Sequence, residues 1–206
     1  MSSQTAKPPG PRATVRPYRL TVRQFLKAVE AGVFPHDVRL ELLGGIPVRK
    51  MTRNPPHNST VFKLATGLRA LLPREWIVYE EKPVVAGRMW RPEPDLALIR
   101  GPIELYERHD PKADDVALII EGSDTSYEDD RGFKWHRYAA ARLSTYWIVN
   151  LQDRQVERYS DPTGRGNSAR YNVSSIYKKG DSIPVEVGGA GIGQLAVNDV
   201  LPSDVG

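Results

Sequence analysis

The run Ala117-Leu118-Ile119-Ile120 ends on a carboxylate, Glu121. An apolar run of this kind reads as a buried strand. Desolvating an unpaired carboxylate at its tip costs several kcal/mol or more, so Glu121 needs a compensating charge. A lysine, Lys134, follows one loop later, within the helix-like stretch GFKWHRYAAARL. Any fold for this chain has to accommodate that acid and that amine.

The chain has 206 residues, enough for one domain with a sizeable core. It has no cysteine, which excludes disulfide scaffolds, thiolate zinc sites and cysteine nucleophiles, and fits a cytoplasmic location. No apolar run approaches the roughly 20 residues of a membrane helix, and the N-terminus lacks the apolar core of a secretory signal. The net charge is +4, and Lys7, Arg12, Arg16, Arg19, Arg23 and Lys27 all precede the first acid, Glu30. Residues 1–17 are rich in Pro and Gly and read as a disordered basic leader, suited either to phosphate contacts or to solubility. Residues 18–206 read as a single domain.

Thr21 and Gln24 form a capping box for a helix whose face is Val22, Phe25, Leu26 and Val29. RLELLGGIPVRK reads as a hairpin turning at Gly44-Gly45, with Glu41 in its first strand. In NPPHNSTVFKLATGLRALLP, Pro55-Pro56 are expected to block a helix and Asn58 or Ser59 to cap one. Val61, Leu64, Ala65, Leu68, Leu71 and Leu72 give that helix a core face. Strands WIVYEEKPVV, PDLALIR and VALIIEG come next, then the helix containing Lys134, capped by Asp129 or Asp130. STYWIVN and QVERYS are two more strands, DPTGRGNSA a loop, and ARYNVSSIYKKGDSIPVEV a final hairpin region. The order predicts an α/β fold with a mixed sheet flanked by helices.

Three acids abut apolar strand segments: Glu41, Asp95 and Glu121. Asp95 opens one strand and Glu121 closes another. If those strands pair antiparallel, both carboxylates meet at one sheet edge, where they repel. A divalent cation removes the conflict, and hard oxygen ligands favour Mg²⁺ or Mn²⁺. Lys134, placed in the second turn by an Asp130 cap, would reach back over that edge and stay protonated beside the carboxylates. Carboxylates, a divalent metal and a lysine fit phosphodiester hydrolysis.

PDLALI, LIIEGSD, DDRGFKWHRYAAA and TYWIVN, in that order, resemble the core of the Uma-two family of restriction endonucleases, within the PD-(D/E)XK nuclease superfamily. The resemblance runs from about Leu20 to Leu201. It implies a restriction-endonuclease-like core and Mg²⁺-dependent cleavage of nucleic acid. It carries Asp95 and Glu121 as metal ligands, Glu41 as a further metal-site acid, and Gly122 as a ligand through its backbone carbonyl. Ser123 departs from the superfamily pattern, which has lysine there; Lys134 supplies it from the following helix instead.

Each residue also has a plainer reading. Asp95 after Pro94 starts a strand, Glu41 is an edge charge, Lys134 a solvated helix residue and Tyr138 core. His57 hydrogen-bonds a loop or contacts a DNA phosphate. The joint pattern favours a metal-dependent DNA endonuclease. The alternatives are a weak or inactive nucleic-acid-binding module on the same scaffold, or a nuclease for RNA or branched substrates. A homodimer would serve cleavage of both strands.

Overall fold

The computed structural model describes residues 16–50 and 53–203, so most of the basic leader lies outside the described residues. Six strands form one sheet in the spatial order β3 (Trp76–Glu80), β4 (Leu96–Arg100), β5 (Val116–Ser123), β6 (Thr145–Asn150), β7 (Gln155–Thr163) and β8 (Arg170–Tyr177). All neighbours are antiparallel except β5 and β6. Parallel neighbours need a crossover, and helical segments between β5 and β6 provide it. All eight residues of β5 are buried, which is why its apolar run shows no alternation.

Side chains alternate between the two faces of the sheet. Leu96, Leu98, Leu118, Ile120, Trp147 and Val149 pack with Val61, Leu64, Ala65 and Leu68 of helix α2 (Pro55–Leu71). Ala97, Ile99, Ile119, Tyr146 and Ile148 pack on the other face, with Tyr138 and Ala139 of α4 (Trp135–Ala140). Asp95 and Glu121 have the parity of this second set.

Several expectations shift. Helix α1 (Val22–Glu30) has the Thr21–Gln24 capping box, but only Phe25 is buried; Leu26 and Val29 are exposed. Helix α2 starts at Pro55, with Asn54 as its cap, rather than after the prolines. The first amides of a helix have no intrahelical acceptor, so prolines there break no bond. The hairpin of β1 (Leu40–Leu43) and β2 (Ile46–Arg49) turns at Gly44 and Gly45, with φ of 60° and 82° as such turns require. A backbone bridge from Leu42 to Arg91 ties it to the body.

The region after β5 is also different. Residues run from α3 (Tyr127–Asp129) through a π-helical turn (Asp130–Lys134) into α4 without interruption. Neither Asp129 nor Asp130 caps anything with its side chain. The expected final hairpin does not form. Instead β8 pairs with β7 in the main sheet, and β9 (Ser182–Val187) pairs with β10 (Ala190–Ala196) as a separate ribbon. That ribbon and α5 (Val197–Val200) cover α2. No helix among the described residues is long and apolar enough to cross a membrane.

Candidate functional site

Antiparallel pairing of β4 with β5 places Leu96 opposite Ile120, so Asp95 and Glu121 emerge at the same end of the sheet. They meet at the floor of a cleft of about 690 Å³, also lined by Glu41, His57, Gly122 and Lys134. Asp95, Glu121 and Glu41 are all buried.

Asp95 is held from several sides. Its Oδ2 is 2.7 Å from His57 Nε2 and accepts the Gly122 amide at 2.8 Å. Its Oδ1 makes no hydrogen bond but faces the Arg53 guanidinium and, at 3.8 Å, the Lys50 ammonium. Burial alone would raise the carboxyl's pKa. The His57 contact and the charges of Arg53 and Lys50 outweigh it and hold the pKa below the ordinary value. Burial lowers the pKa of Lys50 despite the neighbouring acids.

The placement of His57 follows from local sequence. Asn54 Oδ1 accepts the His57 amide at 3.1 Å, which fixes the first turn of α2. The imidazole is buried rather than presented to solvent. A Cβ at residue 122 would lie 2.9 Å from His57 Nε2 and 3.3 Å from Asp95 Oδ2. Glycine is therefore what lets the imidazole reach the carboxylate.

Glu121 is held by the crossover helix. Its Oε1 accepts from Lys134 Nζ at 3.1 Å and from the Tyr138 hydroxyl at 2.9 Å. Tyr138, one turn beyond Lys134, both packs in the core and anchors the acid. Lys134 Nζ also pairs with Asp130 Oδ1 at 2.9 Å. Asp130 is buried, and its Oδ2 accepts from Ser123 Oγ at 2.6 Å and Ser126 Oγ at 2.7 Å. Ser123, at the position where a lysine was looked for, instead anchors the lysine's counter-ion.

Burial pushes the Glu121 carboxyl up to about 8; Lys134 opposes this, while Asp130 and Asp95 reinforce it. Burial also opposes the charge of Lys134, but Glu121, Asp130 and Glu41 outweigh it and raise its pKa well above the ordinary value. These are two sides of one buried group. With two carboxylates to one ammonium, the lysine keeps its proton.

Glu41 Oε2 accepts the Glu93 amide at 3.0 Å, so part of its capacity goes to bracing the loop ahead of Asp95. Among the described residues, no three acid or histidine side chains form a group that could hold a metal ion, so Glu41 does not complete a preformed cage. Two carboxylates nevertheless suit Mg²⁺, which keeps water ligands and takes oxygens from substrate phosphates. Asp95 Oδ1, buried and facing only cations, is chemically fit for such an ion. The sequence singles out neither Lys50 nor Arg53; it marks Asp130 only as a helix cap and Ser123 only as a departure from a lysine motif, not as the buried partners that hold Lys134.

A family model described as "Uma2: Putative restriction endonuclease" matches residues 22–198. No curated protein matches the sequence. Among solved structures, the fold is similar to that of "a putative nuclease belonging to DUF820 from Anabaena variabilis", with a TM-score of 0.63 and 14% identity, covering 88% of this chain and 97% of that one. At that identity the likeness is one of fold, and the fold is restriction-endonuclease-like.

Proposed function

Because the chain belongs to the Uma2 family, we propose that it is a nuclease, and specifically a metal-dependent endonuclease that hydrolyses DNA phosphodiester bonds. One observation carries this reading. Glu121 Oε1 receives both Lys134 and Tyr138, while Asp95 receives the amide of Gly122, the next residue along from Glu121. Two buried acids from paired strands and a buried ammonium thus share one cleft.

In the reaction, a water oxygen forms a bond to phosphorus and one ester P–O bond breaks. The leaving alkoxide takes up the proton that the water gives. Lys134, held charged by Asp130 and Glu121, orients the water and stabilises charge that builds on the phosphate. Tyr138 fixes the Glu121 carboxyl, and His57 and the Gly122 amide fix that of Asp95. A Mg²⁺ or Mn²⁺ held by Asp95 and Glu121, with the Gly122 carbonyl as a further oxygen, would polarise the phosphate and acidify water. Two copies related by a two-fold axis would cut both strands of a duplex.

The test is nicking of supercoiled plasmid. Cleavage is expected with Mg²⁺, and loss is expected with EDTA, with Asp95→Ala and with Lys134→Ala. Cleavage surviving all three ends this reading. A second reading, a binding module without turnover, draws on the Arg53 guanidinium at Asp95 Oδ1, where it does the neutralising work of a metal. Calorimetry separates the two: Mg²⁺ uptake lost in Glu121→Ala supports the enzyme, and no uptake supports the module.

A further inference from the structure

The cleft has apolar surface that hydrolysis does not use. Ile46, Val48 and Phe133 line it and are exposed at 40%, 38% and 39%. They come from the β1–β2 hairpin and from the π-helical turn, elements far apart in sequence. Trp90 backs Phe133, with ring centroids 5.9 Å apart. Single exposed apolar side chains are ordinary on a protein surface. Three that converge on one cleft, beside its buried acids, are not explained that way.

Charge narrows the choice of occupant. Arg19, Arg49 and Arg137 line the same cleft, and the Arg137 guanidinium lies 5.1 Å from the Trp90 ring centroid. Cations beside an exposed aromatic ring are the kind of surface that single-stranded nucleic acid uses, its backbone on the charges and a base stacked on the ring. Here the exposed ring is Phe133, with the buried Trp90 behind it. A fully paired duplex offers its phosphates to the cations but nothing to the ring, because its base faces are covered by their neighbours. Base faces become available only where a nucleotide is unpaired or turned out of the stack. Phe133 immediately precedes Lys134, so a ring and the ammonium are presented by one turn of backbone.

We propose that the cleft takes DNA with an unpaired nucleotide next to the scissile phosphate, its base stacked on Phe133. The preferred substrates are then gaps, flaps, frayed ends or single strands rather than intact duplex. This rests on the nuclease reading above and names its substrate class.

The experiment measures binding without cleavage, in EDTA. A DNA duplex with a short gap carries 2-aminopurine as its unpaired base, and a fully paired duplex of the same sequence is the control. The gapped DNA is expected to bind more tightly and its fluorescence to be quenched on binding. Phe133→Ala should weaken gapped binding by about fivefold or more, the scale of one lost stacking contact. It should leave paired binding unchanged, and Phe133→Trp should restore the preference. Equal affinity for the two DNAs, binding to neither, or a preference untouched by Phe133→Ala would overturn the proposal. Mg²⁺-dependent nicking of plasmid alongside equal affinities would leave hydrolysis standing while the stacking site falls. A Phe133-dependent preference with no cleavage of any DNA would support the stacking site and end the nuclease reading.

Discussion

Asp95 and Glu121 carry the same functional group at the same end of neighbouring strands, yet the protein treats them oppositely. Both are buried, and burial pushes both carboxyls up. At Asp95 that push is reversed by His57, Arg53 and Lys50, so the group stays ionised. At Glu121 it wins, and the pKa rises to about 8. The difference lies in how positive charge is shared. Asp95 has two cationic side chains and an imidazole at its own oxygens, whereas Glu121 divides one ammonium with Asp130. Burial depth therefore does not decide the state of a buried acid; the charges aimed at it do.

Lys134→Met gives the largest expected effect. It removes the ammonium that pairs with both Glu121 and Asp130 and leaves that buried acid pair without its ion-pair partner. Loss of one partner from a buried pair costs about 3–5 kcal/mol. Urea unfolding at neutral pH reads it directly. The matching change on the other side, His57→Ala, should cost clearly less, because Arg53 and Lys50 still face Asp95. If His57→Ala proves the more damaging, the contrast between the two halves is wrong.

The pH dependence separates the halves by sign. In the folded chain Glu121 keeps its proton up to about pH 8, against an ordinary value of 4.5. Its contribution to stability is complete below the ordinary value and is lost as pH rises through the folded one. Asp95, with its pKa lowered from 3.8, contributes above that value and loses the contribution as pH falls. Unfolding in EDTA across both windows should show a decline on each side. Glu121→Gln should flatten the alkaline decline and Asp95→Asn the acid one. An alkaline decline unchanged in Glu121→Gln would mean that burial does not govern that carboxyl.

Gly122→Ala probes where the halves touch. The new methyl would stand 2.9 Å from His57 Nε2 and 3.1 Å from its Cδ2, so the imidazole must leave Asp95. Overpacking of this kind costs about 1–3 kcal/mol. With His57→Ala already in place the methyl has room, so the double variant should lose less stability than the sum of the two singles. Additive losses would mean that the glycine serves the strand and not the imidazole.

The two halves also differ in how far the sequence reveals them. Glu121, Asp95, Lys134 and Tyr138 are visible because apolar runs mark β4 and β5, and helix spacing puts Tyr138 one turn from Lys134. Asp130 is not visible as an ion partner, because a helix cap and a buried counter-ion look alike in sequence; only the π-helical turn decides between them. The contact of His57 with Asp95 depends on a side chain that Gly122 lacks, across 65 positions of chain that no local pattern spans. The β7–β8 pairing fails to show for a related reason: which strand a strand joins is settled by tertiary packing rather than by its own residues. Pro55-Pro56 misleads because proline breaks a helix interior but fits a helix start.

The smallest expected effect tests how His57 is aimed. Asn54 does two things: its Oδ1 caps the His57 amide, and its Nδ2 donates to Asp124 Oδ2 at 2.6 Å in the loop after β5. Asn54→Ala removes both, and an N-cap of this type contributes about 1 kcal/mol. Asn54→Asp keeps the capping oxygen but sets two carboxylates against each other at Asp124. If the cap alone positions the imidazole, Asn54→Asp should retain the His57 ring signals of the native protein by NMR, and Asn54→Ala should shift them. The Glu121 side, which shares none of these contacts, should keep its alkaline pH dependence in both variants. A change there would show that the two carboxylates are coupled through the start of α2 rather than held independently.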